Sequence, residues 1–220
     1  IWKKSGTTCL NLPEVHELVK LIRAITDIAP EPILLLTETN VPNHENLQYF
    51  GNGNEAHLIY NFSLPPLLVH ALLTGQSEFL RQWMMTQPPT LENCTSLNFT
   101  ASHDGIGLRP LEGLLPKKDI DRIVKTAKKF GGKVTTRRRD NKDIPYELNI
   151  TYFDILKGTF DGIDDYQVDR FIASQTIMMS IEGIPAFYIQ SLFGSENDLN
   201  RLSQTRHNRA INRHQWSLNG

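Results

Sequence analysis

The sequence predicts an α/β fold built on a parallel sheet. Three observations lead there. An unbroken apolar run, Ile33-Leu34-Leu35-Leu36, ends on Thr37 and the carboxylate of Glu38, which suits a strand covered on both faces. Helical and strand patterns then alternate along the chain, the signature of parallel pairing. Ionisable side chains recur where apolar strands stop, at Glu38 and again at His103-Asp104. In barrels of alternating strands and helices, reacting groups sit at the carboxyl ends of strands.

The elements follow in order. Pro13 is placed as a first helical residue. Val15, Leu18, Val19, Ile22 and Ile25 recur at three- and four-residue spacing and predict a helix of about sixteen residues. The 33–37 strand follows. The stretch 40–54, rich in Asn, Gly and Pro, reads as a loop long enough to line a site. Residues 56–62 read as a second strand. Pro65 and Pro66 open a helix that Gly75 closes, and a short helix covers 77–85. Residues 96–101 form the third strand. A glycine-rich loop over 105–116 leads to a charged helix over 116–130, the basic run Arg137-Arg138-Arg139, and a short helix over 148–156. A long helix over 164–181 and a fourth strand over 186–189 complete the pattern. Four strands are half of an eight-stranded barrel. The expected organisation is a partial barrel over 1–104, an inserted subdomain over 105–160, and the barrel continued over 161–220.

Composition narrows the function. The 220 residues are 40% hydrophobic and 21% charged, enough to bury a core. A formal net charge of -1 gives no basic footprint for nucleic acid. No apolar stretch approaches the roughly eighteen residues that span a bilayer. Lys3 and Lys4 lead into polar residues, unlike a signal peptide. Two cysteines, Cys9 and Cys94, match no metal spacing and favour a reduced, cytoplasmic setting. Asn-x-Ser/Thr triplets start at Asn61, Asn93, Asn98 and Asn149; three lie in or beside apolar runs and read as chance matches. No metal cluster or phosphate-cradling glycine loop is present, so no cofactor is expected. The chain opens at Ile1, without Met, and reads as a piece of a longer protein.

Alone, Glu38 reads equally well as a solvated carboxylate past a strand. Paired with His103-Asp104, two strands away, it suits glycoside cleavage, which needs two carboxyl groups flanking a sugar.

At these residues the chain resembles the sucrose phosphorylase branch of the α-amylase superfamily of glycoside hydrolases. The resemblance rests on Thr-Glu-Thr-Asn-Val-Pro at 37–42, Ser-His-Asp-Gly-Ile-Gly-Leu-Arg-Pro-Leu-Glu-Gly-Leu-Leu-Pro at 102–116 and Pro-Tyr-Glu-Leu-Asn-Ile-Thr-Tyr-Phe at 145–153. Gly-Ile-Pro-Ala-Phe-Tyr at 183–188 and Arg-Ala-Ile-Asn-Arg at 209–213 extend it. It implies the second half of a (β/α)8 TIM barrel with a small inserted subdomain. It also implies a retaining enzyme that moves a glucosyl unit from sucrose, sucrose 6′-phosphate or glucosylglycerate to phosphate, giving α-glucose 1-phosphate. Glu38 is then the general acid/base, Asp104 stabilises the transition state, and His103 binds the same sugar. The attacking Asp is expected upstream of Ile1, so these residues alone are expected to be inactive. Tyr146 and Glu147 match positions that shape the acceptor or phosphate site. Arg209 or Arg213 is expected on the donor sugar. Arg137, with its neighbours, is a phosphate candidate, since guanidinium suits phosphate geometry; a solvated basic loop explains it as well. Asn40 stands where strict sucrose phosphorylases have His, which points toward the relatives with other donors. A hydrolase of the same fold and a non-catalytic sugar-binding remnant are the rival readings. The open edges of half a barrel call for a partner or cover, and a homodimer is one arrangement that supplies it.

Overall fold

The computed structural model describes residues 2–139 and 141–217. A helix α1 (Pro13–Asp27) precedes strand β1 (Leu36–Thr37), helix α2 (Asn43–Leu47) and strand β2 (Leu58–Tyr60). Helices α3 (Leu64–Thr74) and α4 (Glu78–Met85) lead to β3 (Thr95–Asn98) and β4 (Ile106–Gly107). Then come α5 (Lys117–Lys129), the hairpin β5 (Lys133–Arg139) and β6 (Lys142–Asn149), and α6 (Tyr152–Ile155). The chain continues with α7 (Gln167–Ser180), β7 (Ile184–Pro185), α8 (Ile189–Leu192) and α9 (Leu199–Thr205). Among the described residues, no helix is long and apolar enough to cross a membrane.

Two sheets result. One is parallel, in the order β1-β2-β3-β7. The other is antiparallel, in the order β4-β6-β5. The helices between the parallel strands begin and end as their sequences dictate. Prolines at the first turn of α1 and α3 lose no hydrogen bond there. Gly75 closes α3 in the left-handed conformation at φ 68.

The parallel strands are shorter than their apolar runs. Ile33 and Leu34 are 48% and 66% exposed, so the expectation of a run buried on both faces is corrected. Among the described residues β1 pairs with β2 alone and is a sheet edge, and one flank of the run is open. The pairing reaches one residue upstream, where the Leu35 carbonyl accepts from the amides of His57 and Leu58. The fourth strand lies earlier than expected. Gly183 approaches the Ser96 carbonyl to 2.6 Å at its would-be Cβ, which seats Ile184 and Pro185, not 186–189, against Leu97 and Asn98.

Three further expectations are corrected. The 40–54 loop contains α2 and a 3-10 turn, Gln48–Phe50, because Tyr49 and Phe50 are buried and Asn46 bonds Thr39 and the Tyr60 carbonyl. The basic run lies in the β5–β6 hairpin. The helix expected over 148–156 is only Tyr152–Ile155, since Leu148 is claimed by strands on both sides, opposite Ile106 and Val134. Thr151 caps α6 by accepting from the Asp154 amide.

The main core joins both sheets' surroundings. Leu64, Leu67 and Leu68 of α3 pack with Ile123 of α5, Leu148 of β6, Ile155 of α6 and Met178 of α7. The 105–160 stretch thereby shares one core with α3 and α7. Asn61, Asn98 and Asn149, three of the glycosylation-like positions, are buried.

Candidate active site

Parallel pairing sets all four carboxyl ends on one edge: Thr37, Tyr60, Asn98 and Pro185. Glu38 follows the first of these directly. It is exposed and makes no hydrogen bond or ion pair among the described residues. Its charge reaches Tyr60, whose phenol is raised above its usual range first by burial and then by Glu38. The Tyr60 ring stacks on Phe62 at 5.5 Å, and both meet Phe99 edge-on at 5.5 and 5.4 Å. Phe62 and Phe99 in turn wall a crevice with Asp104. That crevice, about 10 Å³, has room for about one water. An aromatic shelf thus connects the two carboxylates along one edge.

Asp104 is held by side chains from a distant segment. The 3-10 turn Asn208–Asn212 presents Arg209 and Asn212 three residues apart, on one side of the turn. Nη1 of Arg209 donates to Oδ1 of Asp104 at 2.6 Å, and Nη2 of Arg213 donates to the same oxygen at 3.2 Å. Nε2 of His103 lies 3.4 Å from it. Oδ2 makes no hydrogen bond among the described residues. Arg213 also donates to the His103 carbonyl at 2.6 Å. Asn212 donates to the carbonyls of Ser102 and Asp104 at 3.1 and 2.6 Å. The backbone of 102–104 is clamped, while the His103 ring stays 63% exposed.

The antiparallel sheet closes on this turn. Glu147 of β6 is buried and takes Arg209 in a fork, with Nε at 3.1 Å on one oxygen and Nη2 at 2.7 Å on the other. That carboxylate raises the Arg209 guanidinium above its usual value, with burial opposing. Asn149 donates to Glu147 and accepts from Thr135, which accepts from Asn208. Gly105 makes the close approach possible. A Cβ there would overlap the Leu148 carbonyl oxygen and come within 2.6 Å of the Glu147 Cγ. Gly105→Ala is therefore expected to cost about 3 kcal/mol, as overpacking does, read as a lower urea midpoint.

Asn40 packs against Gly107, whose would-be Cβ lies 2.7 Å from its Nδ2. The Asn40 Oδ1 is buried with no hydrogen-bond partner among the described residues. Tyr146 is the extra residue of a bulge between β5 and β6, a device that re-aims a side chain. Its ring lies under Arg137, 5.6 Å from the guanidinium carbon, and contributes to the electrostatic surroundings of Arg209. Arg137 is committed to Glu112 at 2.9 Å and lines, with Tyr146 and Lys142, a groove of about 600 Å³. Arg138 is exposed, and the Arg139 side chain lies outside the described residues. The structure therefore gathers His103, Asp104, Glu147, Arg209 and Arg213 into one cluster, sets Glu38 on the same sheet edge, and leaves Arg137 in the neighbouring groove.

Neither Asn212 nor Asn149 was given a role at the site by sequence. Asn212 lies inside the quoted Arg-Ala-Ile-Asn-Arg motif and Asn149 inside the quoted 145–153 motif, which were the available signals. Among the described residues no group of three or more His, Cys, Asp or Glu side chains is placed to hold a metal ion.

Known proteins are similar to this chain. A glucosylglycerate phosphorylase of Escherichia coli (strain K12) is 42% identical over 98% of this chain, which spans 39% of it. The chain is homologous to this phosphorylase. Another glucosylglycerate phosphorylase, from Spirochaeta thermophila, is 41% identical over 100% of the chain and 37% of its own length. A solved sucrose 6F-phosphate phosphorylase from Thermoanaerobacter thermosaccharolyticum superposes with a TM-score of 0.83 at 27% identity, over 99% of this chain and 41% of that one. The four parallel strands and their helices are a part of that barrel fold. The chain of this phosphorylase homologue spans about two-fifths of the length of the curated relatives it matches. No family model matches it.

Proposed function

We propose that the chain is the acid/base-carrying part of a retaining glucoside phosphorylase whose donor is glucosylglycerate. The observation that carries this is the identity of 41–42% to glucosylglycerate phosphorylases, against 27–31% to sucrose phosphorylases. The placement of Glu38 and Asp104 on one sheet edge supports it.

On this reading Glu38 gives its proton to the glycosidic oxygen as the bond from that oxygen to the anomeric carbon breaks. A carboxylate from the part of the protein that these residues do not span attacks the anomeric carbon, inverting it. An oxygen of phosphate then displaces that carboxylate with a second inversion. The product is α-glucose 1-phosphate, and Glu38 recovers a proton from the acceptor or from water. Asp104 offers Oδ2 to a ring hydroxyl and, as an anion, stabilises the oxocarbenium-like transition state. His103, still exposed, binds the same sugar, and Arg213 borders it. Asn40, turned toward Gly107, shapes the donor's leaving side. Arg137 and Tyr146 border the acceptor. A cytoplasmic setting, suited to the unbridged Cys9 and Cys94, is part of the proposal.

The test is product analysis on the full-length protein with glucosylglycerate and with sucrose, each with and without phosphate. Phosphate-dependent α-glucose 1-phosphate, faster from glucosylglycerate, is expected. Phosphate-independent glucose would replace this reading by a hydrolase, and sugar binding without turnover would replace it by a binding protein.

A further inference from the structure

We infer that Glu147 is a positioning residue that acts through Arg209 on Asp104, and is not a ligand of acceptor or phosphate. This rests on the stabilising role proposed for Asp104.

Three observations carry it. First, Glu147 is buried away from any ligand and is turned to protein partners. Its side chain is 3% exposed, and its oxygens already accept from Nε and Nη2 of Arg209 and from Asn149. Second, the fork fixes the plane of the Arg209 guanidinium, which leaves Nη1 to aim at Oδ1 of Asp104. With Arg213 on the same oxygen, Asp104 is anchored by one oxygen and presents the other. Third, the charges balance. Two guanidiniums, Arg209 and Arg213, face two carboxylates, Asp104 and Glu147. Without Glu147 the cluster would carry surplus positive charge beside a transition state that is itself positive. The attraction Asp104 offers to that state would be offset.

The arrangement makes the inserted sheet part of the catalytic apparatus by a route other than substrate contact. β6 carries Glu147, Gly105 lets β6 close on the His103-Asp104 turn, and Thr135 with Asn149 locks the carboxylate to the 3-10 turn that bears Arg209.

Glu147→Gln in the full-length protein tests this. It keeps the shape and removes the charge and one acceptor. The expected result is a fall in kcat of about 100-fold, the scale of misplacing or unbalancing a catalytic group. The KM values for donor and phosphate should stay within about twofold. Arg209→Lys should behave similarly, and the double variant should be no worse than the poorer single by more than about threefold, since the two act as a unit. A raised phosphate KM with kcat preserved, or losses that multiply, overturns the inference. A readout free of turnover accompanies it. The Arg209 Nε–H NMR signal, assigned by its loss in Arg209→Lys, should exchange slowly in the wild type and rapidly in Glu147→Gln; equal exchange in both contradicts the pairing. If the wild type phosphorolyses no α-glucoside, the proposed function fails, and the Glu147–Arg209 pair is judged on this signal.

Discussion

Glu38→Gln in the full-length protein is expected to lower kcat for an O-glucoside by about 10²–10⁴-fold, the usual worth of a positioned acid. Glu38 stands directly after β1 at the carboxyl edge and makes no hydrogen bond or ion pair among the described residues. Nothing in the fold depends on its charge, so the variant should unfold at the wild-type midpoint. An alkoxide leaving group needs the proton that glutamine lacks. Fluoride leaves without one, and phosphate arrives already anionic. α-Glucosyl fluoride with phosphate should therefore be turned over by the variant at nearly the wild-type rate. Steady-state kinetics with the two donors make the comparison. Equal loss on both donors would place Glu38 in a structural role, and undiminished activity on the O-glucoside would remove it from the reaction.

Arg209→Met is expected to destabilise the fold by about 3 kcal/mol, the lower end of the cost of stranding a buried charge. Glu147 is 2% exposed, and Arg209 supplies its two-point partner. The lower end applies because the Arg209 side chain is 35% exposed and water can reach part of the site. Adding Glu147→Met should recover more than half of the loss, since two apolar side chains of similar volume leave no orphaned charge. Urea unfolding of the wild type, both singles and the double reads this directly. An unchanged midpoint for Arg209→Met would mean that the fork adds nothing to the fold.

The helices were legible because each carries its own signals. α1 has a proline at its start and a three-four apolar rhythm, and α3 runs from its prolines to Gly75. The parallel sheet was legible from alternation. Exposure of Ile33 and Leu34 was not, since an apolar run looks alike at a sheet centre and at an edge whose outer flank is open. The β5–β6 hairpin escaped because its strands are charged, and only Leu148, set between β4 and β5, shows the pairing. Glu38, His103 and Asp104 were legible as residues at strand ends. The partner of Asp104 was not. Arg209 lies 105 residues away, and neither residue's neighbours carry a mark of the other. Glu147 is separated from Arg209 by 62 residues and was read as facing the substrate, because burial of a carboxylate is invisible until its partner is placed.

The most direct measurement is a crystal structure of the full-length Glu38→Gln protein with intact glucosylglycerate. The glucosyl ring should lie over the Tyr60–Phe62–Phe99 shelf, with the residue 38 carboxamide within hydrogen-bonding distance of the glycosidic oxygen and Oδ2 of Asp104 on a ring hydroxyl. A glucosyl ring bound elsewhere, or packed protein between residues 38 and 104 in that complex, would contradict it.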